Sequence, residues 1–193
     1  MLPIFHVHGL FVASHGALLA GAKMIWLPRL DVEQALHYLP QSTIMMGVPT
    51  YYVRLLAHEG LTREACRSMR VFISGSAPLL EETFQAFEER TGQKILERYG
   101  MSETIMLTSN PYDPQQGPRV AGTVGRPLPG VQLRIVDDHN QLVSGDTVGH
   151  VQVKGPNVFS GYWQMPEKTA EEFTDDGWFR TGDMGQGTEV AGG

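Results

Sequence analysis

One cysteine, Cys66, is all the thiol chemistry that this 193-residue chain holds. An internal disulfide is therefore excluded, and so is a cysteine-rich zinc site. Cys66 sits in the polar stretch Thr62-Arg63-Glu64-Ala65-Cys66-Arg67, where nothing local activates it, so it reads as a structural thiol. A reducing setting is expected, cytoplasmic, or mitochondrial if a native start lies upstream. Long apolar runs are also missing. Leu10 to Ala22 is broken by Ser14, His15 and two glycines, and nothing reaches the ~18 residues of a membrane span. No basic stripe of Lys and Arg exists and the formal net charge is −6, so nucleic acid is not an expected partner. The start has no basic n-region, which excludes a signal peptide. No Gly-x-Gly-x-x-Gly follows the first strand signal, which disfavours a dehydrogenase-type dinucleotide domain. Internal repeats and low-complexity tracts are absent.

What is present is ordinary globular chemistry, 41% hydrophobic and 19% charged. Met1-Leu2-Pro3-Ile4-Phe5-His6 enters apolar chain at once, so the chain reads as a middle piece of a larger protein. The first ~110 residues alternate helix and strand signals. Leu10 to Ala20 reads as a helix and Lys23 to Leu27 as a strand. Asp31 is a good N-cap for a helix with Val32, Ala35, Leu36 and Leu39 on one face. Thr43 to Val48 is a strand, and Thr50 could cap the helix Tyr51 to Ala57. Arg70 to Ser74 is the next strand. Pro78 suits a first helical turn, Glu81 and Glu82 suit the positive end of that helix, Phe84 and Phe87 give its apolar face, and Gly92 ends it. Lys94 to Arg98 is a further strand.

This rhythm predicts an α/β subdomain over residues 1–116, a mostly parallel sheet with flanking helices. After about Asn110, prolines and glycines crowd the chain. Val131, Leu133 and Ile135 then alternate with polar residues, as do Val151 and Val153. Asp137-Asp138-His139-Asn140 supplies a turn. A small antiparallel, β-barrel-like subdomain is expected over 117–184, with a frayed or foreign tail at 185–193.

Three segments carry candidate chemistry. Ser74-Gly75-Ser76-Ala77-Pro78-Leu79 leaves a strand and enters a helix through small residues. That lets a ligand approach the backbone, although plain strand-to-helix turns look the same. Glu97-Arg98-Tyr99-Gly100-Met101-Ser102-Glu103 follows the next strand. Tyr99 could stack on a base, Ser102 could bond phosphate oxygens, and Glu103 could hold a magnesium ion; a core tyrosine beside a solvated carboxylate is the plainer alternative. Ligands of open α/β sheets bind at such strand ends. Thr181-Gly182-Asp183 offers a carboxylate for a ribose diol, or a simple turn. His6 and His8 are spaced i and i+2 without further ligands nearby, too little for a metal site.

In this order the segments resemble the adenylate-forming superfamily of acyl-CoA synthetases, luciferases and peptide-synthetase adenylation domains. The resemblance covers about residues 1–184. Leu2 to Gly9 is similar to that family's aromatic-histidine segment beside the acyl site. Ser74 to Leu79 is similar to its adenine-wall loop, and Tyr99 to Glu103 to its Tyr-Gly-x-Thr-Glu motif, with serine for threonine. Gly149 to Tyr162 resembles a further core motif, and Thr181-Gly182-Asp183 the ribose-binding motif.

The resemblance implies an AMP-forming acid–thiol ligase that uses ATP, Mg2+ and coenzyme A. It implies catalytic roles for His6, Ser102 and Glu103, with Glu103 also the metal ligand. It implies nucleotide contacts from Gly75, Ser76, Ala77, Pro78, Glu97, Tyr99, Gly100, Met101 and Asp183. Within the superfamily the chain most resembles malonyl-CoA synthetases, which implies malonate as the acid and Arg54 as the partner of its distal carboxylate. A fatty or aryl acid, and a truncated non-catalytic nucleotide-binding homologue, are the alternatives. The phosphate-gripping loop and the small C-terminal domain with its lysine have no counterpart in this sequence. A fragment with little activity of its own is therefore expected, with possible self-association through the apolar face from Leu10 to Leu27.

Overall fold

In the computed structural model, residues 1–187 are described. The chain is α/β, a mostly parallel sheet with flanking helices followed by a small antiparallel sheet. It forms two compact units, Met1–Arg126 and Pro127–Gly193. The tail expected at 185–193 lies outside the described residues from position 188 onward, and Gly185 itself ends a strand. No helix among the described residues is long and apolar enough to cross a membrane.

The first unit is built on strands β1 (Ile44–Gly47), β2 (Val71–Ser74), β3 (Leu96–Tyr99), β4 (Thr108–Ser109) and β5 (Arg126–Pro127), in that spatial order. β1, β2 and β3 run parallel, and β4 returns antiparallel to β3. Helix α2 (Val32–Tyr38) begins as expected, because the Asp31 carboxylate accepts from Gln34 N–H at 3.0 Å. Helix α4 (Glu81–Thr91) ends at Gly92, whose φ of +73° is the left-handed closing conformation.

Four local expectations change. The helix expected from Leu10 runs instead as a π-helical segment His8–His15 followed by α1 (Gly16–Leu19). Lys23 to Leu27 is not a strand; the segment is tied by the Met1 amine, which donates to the Leu27 carbonyl at 3.0 Å. Helix α3 (Pro49–Leu56) is entered from Val48 with Pro49 in the first position, so Thr50 lies inside it rather than capping it. Pro78 lies outside α4, because Leu80 is extended and the Leu79 N–H is already committed to the Glu97 carboxylate.

The core gathers on one face of the sheet. Tyr52 of α3, Phe72 of β2 and Phe87 of α4 meet edge to face, with ring centroids 4.9–6.5 Å apart. Tyr52 Oη donates to the Ile73 carbonyl, so its polar end is satisfied as well. Cys66 belongs to this core, and burial pushes its thiol up to about 11, which fits an inert structural role. Apolar side chains at Phe5, Leu18, Leu19 and Trp26 are exposed.

The division into units falls at Arg126/Pro127, later than the 116/117 boundary drawn from composition. Asn110 is the physical reason. Its buried amide donates to the Thr123 carbonyl at 2.6 Å, and its oxygen accepts from Val120 N–H at 3.1 Å. Arg119 reaches the carbonyls of Lys94, Pro111 and Tyr112 at 2.7–3.2 Å. The proline-rich stretch is thereby stitched to the β3–β4 pair.

The second unit is a three-stranded antiparallel sheet of β6 (Gln132–Val136), β7 (Gly149–Lys154) and β8 (Phe179–Gly185), with helix α5 (Pro166–Glu172). The expected turn forms at Asp137, whose carboxylate accepts from the N–H groups of His139 and Gln141. Phe159 packs among Tyr162, Phe173 and Phe179. Arg134 lies 4.4 Å over the Trp178 ring and pairs with Asp176.

Two expectations follow for stability. Asn110→Ala leaves the Val120 N–H and the Thr123 carbonyl without their partner, and should cost about 2 kcal/mol in urea denaturation; an unchanged midpoint would contradict the stitching role. Glu97 is buried, and burial raises its carboxyl from 4.5 to about 7. Between those values the folded chain holds a proton that the unfolded chain has released, so stability falls as pH rises across that window. Glu97→Gln has no such proton, so its urea midpoint should gain on the wild type from pH 4.5 to about 7. A constant difference between the two proteins would refute the buried acid.

Candidate functional site

Strand register builds the site. Gly47 pairs with Ser74, and Ser74 pairs with Glu97, so the three parallel strands stop at one level. The loop after β2 and the turn after β3 therefore emerge side by side. Gly75 and Ser76 thus stand in the loop that follows β2, next to the turn that begins at Tyr99.

The β2 loop is shaped by two small residues. Gly75 is buried; a Cβ there would lie 3.4 Å from the Arg98 carbonyl oxygen and 3.5 Å from His8 Cε1. Ser76 has φ of +69°, a conformation that favours glycine. Its hydroxyl lies 3.0 Å from His8 Nδ1, a contact that holds the strained residue in place. Ser76, Ala77 and Pro78 are exposed, leaving this loop open to a ligand.

The β3 turn closes on itself because Gly100 lacks a side chain. A Cβ at Gly100 would sit 2.2 Å from the Ile105 carbonyl oxygen. The Ile105 N–H donates to Met101 O at 2.8 Å, and Leu107 N–H donates to Tyr99 O at 3.0 Å. Ser102 is exposed and Glu103 half-buried on this turn, while Thr104 is buried beneath it. Tyr99 and Met101 are half-buried. Among the described residues no group of three or more His, Cys, Asp or Glu side chains could hold a metal ion. A magnesium ion that takes most of its ligands from phosphate and water needs no more than one or two protein carboxylates.

Glu97 and Arg98 occupy opposite faces of β3. Glu97 shares the Ser74 side and accepts from Leu79 N–H. Arg98 lies on the side of His8, and burial holds its guanidinium below its ordinary value. The His8 imidazole is lowered too, first by burial and then by the Arg98 charge, so it is neutral at pH 7.

The two histidines thus part company. His6 is exposed, whereas His8 is buried against Ser76. Arg54 is exposed on α3, since Tyr52 and Leu55 take the buried face of that helix. In the second unit, Asp183 is exposed on β8 within a bulge. Thr181, Gly182 and Asp183 lie between the pairs Gln152↔Arg180 and His150↔Met184, where only Val151 stands opposite. The Thr181 hydroxyl fastens the bulge by donating to Val151 O and accepting from Asp183 N–H.

Sequence reasoning gave no role to Arg98 and no partner to His8. The available signal was a charge pair, Glu97-Arg98, inside an otherwise apolar strand.

The family described as AMP-binding enzyme matches residues 1–163. A malonate–CoA ligase of Arabidopsis thaliana is 40% identical, over 96% of this chain and 33% of its own length. The chain thus spans about a third of that curated relative. The ATP-bound structure of MatB from Rhodopseudomonas palustris superposes with a TM-score of 0.94 at 53% identity, over 97% of this chain and 37% of that one. A malonyl-CoA ligase bound to methylmalonyl-CoA and AMP superposes at 0.88 with 42% identity, over 97% of this chain and 41% of that one. Motif order, strand-end geometry and the span of the family match agree, and the chain belongs to the AMP-binding enzyme family.

Proposed function

We propose that this chain belongs to an ATP-dependent carboxylate–CoA ligase that acts on malonate. The observation that carries the reading is the pair of turns at the ends of β2 and β3, which set a small-residue wall beside an aromatic ring and a carboxylate. The relatives' names support the acid: a malonate–CoA ligase, and a malonyl-CoA ligase with methylmalonyl-CoA and AMP bound. The ATP-bound relative supports the nucleotide.

In such a reaction a carboxylate attacks the α-phosphate of ATP and expels pyrophosphate, and the thiol of coenzyme A then takes the acyl group. Attack of one anion on another needs fixed geometry and neutralised charge. Tyr99 and the wall from Gly75 to Pro78 would hold the adenine, with Glu97 and Met101 beside it. Glu97 and Gly100 set the shape of this floor. The Ser102 hydroxyl would donate to phosphate oxygens. Glu103 would hold a magnesium ion, which when bound supplies positive charge against the phosphates. His6, exposed near the start of the chain, would line the acyl or thiol route, and Arg54 offers a solvent-facing cation for the acid.

Malonate-dependent exchange of labelled pyrophosphate into ATP tests the reading. Exchange by the chain should be strongest with malonate and weaker with acetate or octanoate; strongest exchange with octanoate would replace malonate by a fatty acid. Glu103→Gln should lower exchange by about 10²-fold while leaving the urea midpoint nearly unchanged. Full exchange in that variant would remove Glu103 from the site.

A further inference from the structure

The loop after β2 is pinned at both ends, and the far pin is an acid. At the near end the Ser76 hydroxyl lies 3.0 Å from His8 Nδ1. Pro78 has no N–H, so Leu79 is the first residue past Ala77 whose backbone can donate. Its N–H goes to the carboxyl group of Glu97, on the neighbouring strand. Leu79 and Glu97 are both buried. Between the two pins, Ala77 and Pro78 stay exposed.

The Glu97 side chain is not needed to hold its own strand. Backbone does that: the Glu97 carbonyl accepts from Asn110 N–H at 3.0 Å and from Asn110 Nδ2 at 3.4 Å. Ser74 is its register partner on β2, yet the Ser74 hydroxyl is buried without a hydrogen-bond partner. The acid is thus committed to the loop and not to the adjoining strand. None of the ion pairs among the described residues includes Glu97, and burial raises its carboxyl to about 7. A buried carboxyl group is a costly acceptor for one N–H if stability is its only purpose. Tyr99, two positions on, lies on the same face of β3. One side chain therefore links the strand that ends in the aromatic ring to the loop that stands beside it.

We propose that Glu97 is a positioning residue for the nucleotide: by holding the Leu79 N–H it sets the gap between the Gly75–Pro78 wall and Tyr99 into which a purine ring slides. This rests on the nucleotide part of the reading above and adds what keeps the slot at its width. A flat ring is held by contact on both sides, and an opening of about 0.5–1 Å forfeits a quarter to a half of that contact energy. Without its acceptor the Leu79 N–H is left buried and unpaired, and the loop gains by moving to satisfy it. The role belongs to the acceptor oxygen, so a glutamine can fill it and a leucine cannot.

The test is equilibrium dialysis of two magnesium-bound nucleotides against the chain: ATP, and purine riboside triphosphate, which is ATP without its 6-amino group. Wild type, Glu97→Ala, Glu97→Gln and Glu97→Leu are compared at about pH 8, with urea midpoints measured beside them to show that each is folded. Glu97→Ala should weaken both nucleotides about tenfold, and Glu97→Gln should stay within about threefold of wild type. Glu97→Leu fills the volume without an acceptor, so it should behave as the alanine variant and serves if that variant fails to fold. Wild-type affinity in Glu97→Leu would overturn the assignment and leave the nucleotide reading intact. A loss confined to ATP, with the analogue bound as by wild type, would make Glu97 a reader of the 6-amino group and overturn it too. A glutamine variant as weak as alanine would assign the effect to charge, with the same consequence. A wild-type chain that binds neither nucleotide would overturn the reading and the assignment together.

Discussion

Three short parallel strands in fixed register are what the candidate site depends on. Gly47, Ser74 and Glu97 stand side by side, and a slip of one residue would turn every side chain of a strand to the opposite face. Glu97 would then face His8, and Arg98 would enter the aromatic core. On one side of the sheet the rings of Tyr52, Phe72 and Phe87 pack edge to face and tie α3 and α4 to β2. Loop chemistry comes second. Gly100 is there because the Ile105–Met106 backbone occupies the space that a side chain would need, while Gly75 lets the Arg98 carbonyl and the His8 ring close around it.

Burial of charge is the second theme. β3 places an acid and a base next to each other in sequence, yet they do not neutralise one another, because the pleat sends them to opposite faces. The acid is accommodated by holding its proton and by one N–H from Leu79. The base has no such remedy, because arginine does not give up its proton near neutral pH.

Much of this was legible in the sequence where the signal is local. Asp31 caps α2 through its own neighbours, Gly92 ends α4 by its own backbone, and Phe84 and Phe87 repeat at helical spacing. The motif segments were legible for the same reason, since each turn is made by contiguous residues. What was not legible depends on distant partners. Lys23 to Leu27 has the composition of a strand but pairs with none among the described residues. Pro78 could begin a helix, but Leu79 is drawn to Glu97, eighteen positions on in sequence, and α4 starts later. The 117–126 stretch has the prolines of a linker, yet Asn110 and Arg119 bind it to the first unit. His8 had no role in the sequence, and its partner, Ser76 of the β2 loop, lies 68 positions away. Arg98 could not be distinguished from a solvated arginine without knowing that its Nε is enclosed.

The central claim is that the two strand-end turns form one nucleotide-binding surface. Amide hydrogen exchange of the chain with and without magnesium-ATP tests this most directly. The account predicts slowed exchange over residues 74–79 and 97–105 together, with the β2 and β3 turns responding at the same nucleotide concentration. Protection confined to one of the two turns, or appearing elsewhere in the first unit while both remain unchanged, would contradict it.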